Sequence, residues 1–243
     1  MQSVWAGYGE GARLIALPDS DTEVLRGVRW GAPDHLGTPA YWAVRCHWGE
    51  ESTPSFARVG NSLVEEVGFC LLGGYGVTFE ANMAAFEWLR EHAVFDLIAD
   101  VPESRILELL SQPLDVQGRP RRYRFPNQRA RRIAAMRRRM AESPPDPTSP
   151  RSLRDHLMSY EGIGPKTASW IVRNHLDSDD VAIIDVHVLR ACRRMSLFPD
   201  EISLPRDYGA LEERFLDFAK AIKVRSSLLD AVMWAETRAG AAR

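Results

Sequence analysis

Residues 160–166 read Tyr-Glu-Gly-Ile-Gly-Pro-Lys, and no regular helix or strand runs unbroken through that string. Gly162 and Gly164 admit positive φ and let another surface come close to the backbone. Pro165 suits the first turn of a following helix, where its missing N–H costs nothing. Upstream, Leu153, Leu157 and Met158 mark the apolar side of a helix that ends at Tyr160. The segment therefore predicts two helices joined by a glycine hairpin, with free amides at the start of the second facing outward. Such a start binds anions through its unpaired N–H donors and the positive end of the helix dipole.

The rest of the chain reads as helix around that hairpin. From Asn61, Leu63, Val64, Val67 and Leu71 follow the i, i+3, i+4 spacing of a buried face. Gly73-Gly74-Tyr75-Gly76 breaks that helix, and another begins near Phe79 and carries Ala84, Ala85, Trp88 and Leu89. Ile106 to Leu110 makes a short helix and Pro113 to Pro120 a loop. Further helices fall near 151–159, 165–174, 185–195, 208–222 and 226–238. No stretch alternates β-branched residues between turns, so any strand is confined to the N-terminal portion. The expected fold is mostly α, with two helical lobes. Residues 1–60 are an irregular segment packing on the helical body, with Trp30, Tyr41, Trp42 and Trp48 clustered in it. Residues 61–142 form a helical lobe, 143–150 a proline-rich linker, and 151–243 the hairpin region and the C-terminal helices.

A chain of 243 residues with 45% hydrophobic and 26% charged content is ordinary for a globular protein with a substantial core. No apolar run approaches the roughly 20 residues of a membrane span. Met1 to Asp19 lacks a basic start followed by an apolar stretch, so the expected location is the cytoplasm, without a membrane partner. Cys46, Cys70 and Cys192 are isolated, which fits neither a disulfide framework nor a paired metal site. Net charge is −2, but Arg119, Arg121, Arg122, Arg124, Arg129, Arg131, Arg132, Arg137, Arg138 and Arg139 crowd one segment. Such a stripe either tracks phosphates or is a solvated helix face.

Only three of the 31 basic residues are lysines, namely Lys166, Lys220 and Lys223, and Lys166 sits in the hairpin. Arginine grips a phosphate as well or better. A deprotonated amine, however, can attack carbon and form a Schiff base. Asp185 follows nineteen residues later in Ile-Asp-Val-His, placed to cap a helix through Val188, Leu189 and Cys192. Capping fixes a carboxylate while leaving one oxygen free, so cap and catalyst are compatible roles. His187 either reaches a phosphate bound nearby or is an ordinary surface or core histidine.

Gly-Ile-Gly-Pro-Lys followed by Asp-Val-His resembles the helix–hairpin–helix–Gly/Pro–Asp superfamily of DNA glycosylases. The lysine and the Asp-Val-His ending are similar to its 8-oxoguanine DNA glycosylase branch, in its compact microbial form. Arg122-Tyr123-Arg124-Phe125 with Asn127, Arg129, Ala130 and Ile133 is similar to the family segment before the hairpin. The resemblance implies DNA as partner, a cleft between the lobes, and excision of oxidised guanine by a lysine Schiff base with strand nicking. It implies Lys166 and Asp185 as catalytic residues, with Gly162, Gly164, His187, Arg122, Arg124 and Arg129 on the DNA. Asp230 and Trp234, with Trp42, would hold the extruded base. No cofactor is implied, and there is no cysteine cluster for an iron–sulfur module; protein partners stay open. The turn Gly73-Gly74-Tyr75-Gly76 departs from the polar side chains the family commonly carries there. Two other readings follow: a related enzyme acting on another modified purine or a nucleobase conjugate in bacterial anti-phage defence, and a non-catalytic DNA-binding module.

Overall fold

In a computed structural model, residues 1–7, 9–49 and 58–241 are described. Their order is β1 (Gln2–Ala6), β2 (Arg13–Leu17), β3 (Glu23–Leu25), β4 (Val28–Arg29), α1 (Pro39–Gly49), α2 (Leu63–Leu72), α3 (Phe79–Glu91) and α4 (Glu103–Ser111). Next come β5 (Pro113–Val116), β6 (Arg119–Arg122), α5 (Pro126–Glu142), α6 (Pro150–Leu157), α7 (Pro165–Leu176), α8 (Val186–Arg194), α9 (Tyr208–Ala221) and α10 (Ser226–Ala241). The strands pair only as antiparallel hairpins, β1 with β2, β3 with β4 and β5 with β6. The protein is thus mostly helical, as its periodicity predicts. No helix among the described residues is long and apolar enough to cross a membrane.

The helices begin where the sequence offers caps. Ser62 accepts from the Glu65 amide at the start of α2, and Thr78 accepts from the Ala81 amide at the start of α3. Pro126 opens α5 and Pro150 opens α6.

Two features differ from the sequence reading. Residues 113–120, expected as a loop, belong to the β5–β6 hairpin, and strands are therefore not confined to the N-terminal portion. Its turn is Gln117-Gly118, with φ of +55° and +77°, the two left-handed residues of a type I′ turn that matches strand twist. Pro39–Gly49, within the stretch expected to be irregular, is helix α1.

The chain divides into two compact units, one of residues 57–176 and the other of 1–56 with 177–243. The division falls at neither end of the proline-rich run 143–150, which lies inside the continuous unit between α5 and α6. The core of that unit is built by Leu71, Leu72, Phe86, Leu89, Ile106, Leu109, Ile133, Met136 and Leu153, all fully buried. In the split unit, Ala6, Leu17, Val28, Trp30, Trp42 and Cys46 share one apolar cluster with Val188, Cys192, Phe215, Phe218, Leu229 and Met233. Prolines stop helices locally; this boundary is set by which apolar faces meet, and those lie far apart in sequence.

Candidate active site

In the continuous unit, α6 ends at Leu157 and α7 starts at Pro165, so the predicted helix–hairpin–helix is present. Tyr160 and Ile163 are buried beneath the turn, and the Ile163 amide donates to the Tyr160 carbonyl at 3.0 Å. Gly162 has φ of +94°, and a Cβ there would stand 3.0 Å from the Arg132 guanidinium. The left-handed conformation favours glycine, while the guanidinium, at the end of a flexible side chain, could move aside from a Cβ. Arg131 and Arg132 of α5 pair with Glu161 at 2.5 and 3.3 Å. Arg139 donates to the Ser159 carbonyl at 3.1 Å and lies over the Tyr160 ring. Part of the basic stripe therefore braces the hairpin. Lys166, the second residue of α7, is exposed. Its charge reaches Cys70 of α2, whose thiol is pushed up by burial and by Glu66, with Lys166 acting in the opposite sense.

The glycine turn 73–76 is held from the segment after β6. The Tyr123 hydroxyl donates to the Leu72 carbonyl. Arg129 donates to the Gly73 carbonyl at 2.7 Å, and Arg124 to the Gly76 carbonyl at 3.3 Å. Arg129 is buried, so the structure gives this expected DNA contact an internal task. Arg137 is spent in the same way, on the carbonyls of Val94, Asp96 and Ala99. Arg122 and Arg124 are exposed. Tyr75, at the tip of the braced turn, is 96% exposed.

In the split unit Asp185 is the N-cap of α8, and one oxygen, Oδ1, accepts from the amides of both His187 and Val188 at 2.8 and 2.9 Å. Oδ2 takes no hydrogen bond among the described residues. The approach to Asp185 is clamped by three side chains. The Ala182 amide donates to Glu212 Oε1 at 3.0 Å, that of Ile183 to Asp230 Oδ2 at 3.0 Å, and that of Ile184 to the Tyr208 hydroxyl at 3.1 Å. The Tyr208 hydroxyl in turn donates to the Ala182 carbonyl at 2.8 Å. Sequence reasoning did not single out Glu212 and Tyr208. Their signal is an acid set in the apolar periodicity of Tyr208, Leu211, Phe215 and Phe218.

Asp230 and Trp234 are one helical turn apart on α10 but differ in exposure. Asp230 is 2% exposed, turned toward Ile183, whereas Trp234 is 42% exposed. The Trp234 ring meets the His187 ring edge-on at 6.4 Å, and Arg238 lies over it at 4.9 Å. His187 Nδ1 is buried without a hydrogen-bond partner among the described residues. Trp42 is buried, and its indole N–H likewise meets no acceptor there. Beside it on α1, Tyr41 donates to Glu236 at 3.1 Å and Arg45 pairs with the same carboxylate. Burial, followed by the Glu236 charge, raises the Tyr41 hydroxyl above its ordinary pKa. Tyr41 belongs to the aromatic cluster noted in the sequence, whereas its partners Arg45 and Glu236 were not apparent there.

Residues 54–224 match the family model described as 8-oxoguanine DNA glycosylase. The chain belongs to this family. The match includes Lys166 and Asp185 and ends before Asp230 and Trp234. The 8-oxoguanine DNA glycosylase of Thermotoga maritima is 27% identical with a TM-score of 0.53, over 77% of this chain and 91% of that one. The 8-oxoguanine DNA glycosylase of Methanocaldococcus jannaschii is 25% identical with a TM-score of 0.51, over 79% and 82%. An N-glycosylase/DNA lyase of Saccharomyces cerevisiae is 45% identical over 42 residues. That stretch is 17% of this chain, which thus spans 11% of the length of the curated relative it matches.

Proposed function

We propose that this family member is a DNA glycosylase and abasic-site lyase that removes 8-oxoguanine from DNA through an imine on Lys166. The observation that carries the reading is the presentation of Lys166: an exposed amine at the start of a helix whose glycine hairpin is braced by arginines. Its Nζ attacks C1′ of the damaged nucleotide, and the glycosidic bond breaks with its electron pair leaving on the base. Loss of a proton from the nitrogen and opening of the sugar give an imine. Removal of a proton at C2′ then expels the 3′ phosphate and nicks the strand. Asp185, fixed through Oδ1, offers Oδ2 to the positive charge that develops at the sugar.

The amides around Gly162 and Gly164 hold phosphate, as a helix start does. Arg122 and Arg124 add exposed charge for the backbone, and His187 reaches a phosphate through its ring. Trp234 stacks on the extruded base, with Asp230 and Trp42 as the other residues of the base pocket. An enzyme of this kind works at the nucleoid, in the cytoplasm. One observation favours a second substrate: the turn 73–76 carries Tyr75 where polar side chains serve the family. On this reading the base is another modified purine or a nucleobase conjugate, of the sort met in anti-phage defence.

Borohydride reduction on an 8-oxoguanine duplex tests the proposal. The native chain is expected to give a covalent adduct and Lys166→Gln none, while still binding DNA. Adducts only on duplexes carrying other modified purines would move the substrate to the second reading. An adduct that persists in Lys166→Gln would overturn the assignment of the nucleophile.

A further inference from the structure

Asp185 fixes the backbone of His187 but not its ring. The His187 amide donates to Asp185 Oδ1 at 2.8 Å, which sets the course of the chain at the second residue of α8. The half-buried side chain has no such tie. A histidine that presents one ring nitrogen to a ligand is ordinarily oriented by a hydrogen bond at the other. Here that other nitrogen, Nδ1, is buried and meets no hydrogen-bond partner among the described residues. Nε2 is then the nitrogen left to meet a phosphate, and no polar contact at Nδ1 keeps the imidazole from turning.

A second ring takes over that task. Helices α8 and α10 pack against each other. Trp234 of α10 meets the imidazole at an interplanar angle of 80°, with ring centroids 6.4 Å apart, an edge-to-face arrangement of the kind aromatic pairs favour. The indole is itself held. Arg238, one helical turn further along α10, lies over it at 4.9 Å, a cation–π contact. Guanidinium, indole and imidazole thus form one chain of contacts that runs from α10 to the start of α8 and ends two residues from Asp185. At 42% exposure the indole still keeps surface open for a base. A tryptophan that only received a base would need that open surface and nothing more. This one also walls the imidazole.

We propose that Trp234 is a positioning residue for His187: the indole holds the imidazole with Nε2 toward a phosphate of the damaged strand, so that base capture and phosphate grip depend on one side chain. The inference rests on the reading that the protein acts on DNA and that His187 meets a phosphate. It goes beyond stacking, because the indole then matters even where the nucleotide has no base. It also gives a consequence to the bare Nδ1. An imidazole tied at Nδ1 would keep its orientation without Trp234, whereas this one loses it.

The test is the affinity of the full chain for a duplex with a tetrahydrofuran residue at the lesion position, measured by fluorescence anisotropy. That residue has neither a base to stack nor an aldehyde for Lys166. His187→Ala is expected to weaken binding about tenfold or more, the scale of one hydrogen bond to a charged group. Trp234→Ala is expected to weaken it by a similar factor although no base is present, and Trp234→Phe, which keeps a ring in place, to recover most of the loss. The double variant His187→Ala/Trp234→Ala is expected to lose no more than His187→Ala alone, since both act through one contact. If Trp234→Ala melts early, Trp234→Gln carries the same expectation, with a longer side chain, good helix propensity and no ring. Native affinity in both ringless variants would overturn the proposal and leave Trp234 a base stacker alone. Losses that multiply in the double variant would overturn it as well, and so would an unaltered affinity in His187→Ala. In each of these cases a borohydride adduct of the native chain on an abasic duplex would leave the lysine chemistry standing. A native chain that does not bind the tetrahydrofuran duplex would overturn the proposal, and the absence of the adduct too would remove the lysine reading with it.

Discussion

Asp185 gives one oxygen to two amides and keeps the other clear of hydrogen bonds among the described residues, and that asymmetry separates its cap from the proposed catalytic role. A cap is judged by what it accepts, and asparagine accepts about as well as aspartate at this position. Asp185→Asn therefore leaves the α8 start intact, with a melting temperature within a degree or two of the native chain at the few tenths of a kcal/mol expected. It removes the negative charge that, in the proposed mechanism, Oδ2 offers to the sugar. Single-turnover excision is expected to fall by about two orders of magnitude or more, the scale of losing one electrostatic stabiliser. Asp185→Ala adds a stability loss of about 1 kcal/mol from the missing cap. Melting and excision measured on the same preparations decide it: Asp185→Asn with lowered stability and intact excision would make the residue a cap alone.

At the scale of elements, α9 and α10 present Tyr208, Glu212 and Asp230 to three successive amides, those of Ala182, Ile183 and Ile184. The segment has no strand partner, so these side chains replace the ladder that would otherwise satisfy it. Tyr208→Phe strips the Ile184 amide and the Ala182 carbonyl of a partner together. Unfolding is expected to ease by about 1–3 kcal/mol, and excision to slow by up to about a hundredfold as Asp185 shifts. DNA affinity should hold, since Tyr208 is buried, and a fall in affinity equal to that in rate would deny it the positioning role. Helices such as α2, α7 and α9 were legible in sequence because a buried stripe repeats over several turns. The β5–β6 hairpin was not: Leu114 is its one buried residue, and alternation cannot be read from a single point among arginines. The cap of Asp185 was legible because it is local. The burial of Asp230, the clamp and the arginine braces depend on partners tens of residues away, which periodicity does not report.

At the scale of the whole chain, the unit bearing Asp185 is discontinuous, and the family match ends inside it. Residues 54–224 contain the lysine and the aspartate but omit β1–β4, α1 and α10. Trimming to that range removes Ala6, Leu17, Val28, Trp30, Trp42 and Cys46 from one side of the apolar cluster and Leu228, Leu229 and Met233 from the other. Each large buried side chain is worth about 1.5–3 kcal/mol, so the loss matches or exceeds the roughly 5–15 kcal/mol that holds a typical domain together. Asp230 goes as well, leaving the Ile183 amide without its acceptor. The shortened chain is expected to lose the share of the near-ultraviolet circular dichroism owed to Trp30, Trp42 and Trp48 while Trp88 and Trp170 remain, to melt without cooperativity over residues 177–224, and to excise nothing even though Lys166 and Asp185 are present. The continuous unit, residues 57–176, keeps every one of its core residues in the trimmed chain, so part of the helical signal should survive. A trimmed chain that melts cooperatively near the native temperature and still excises would show that the terminal segments merely coat a core completed by α8 and α9.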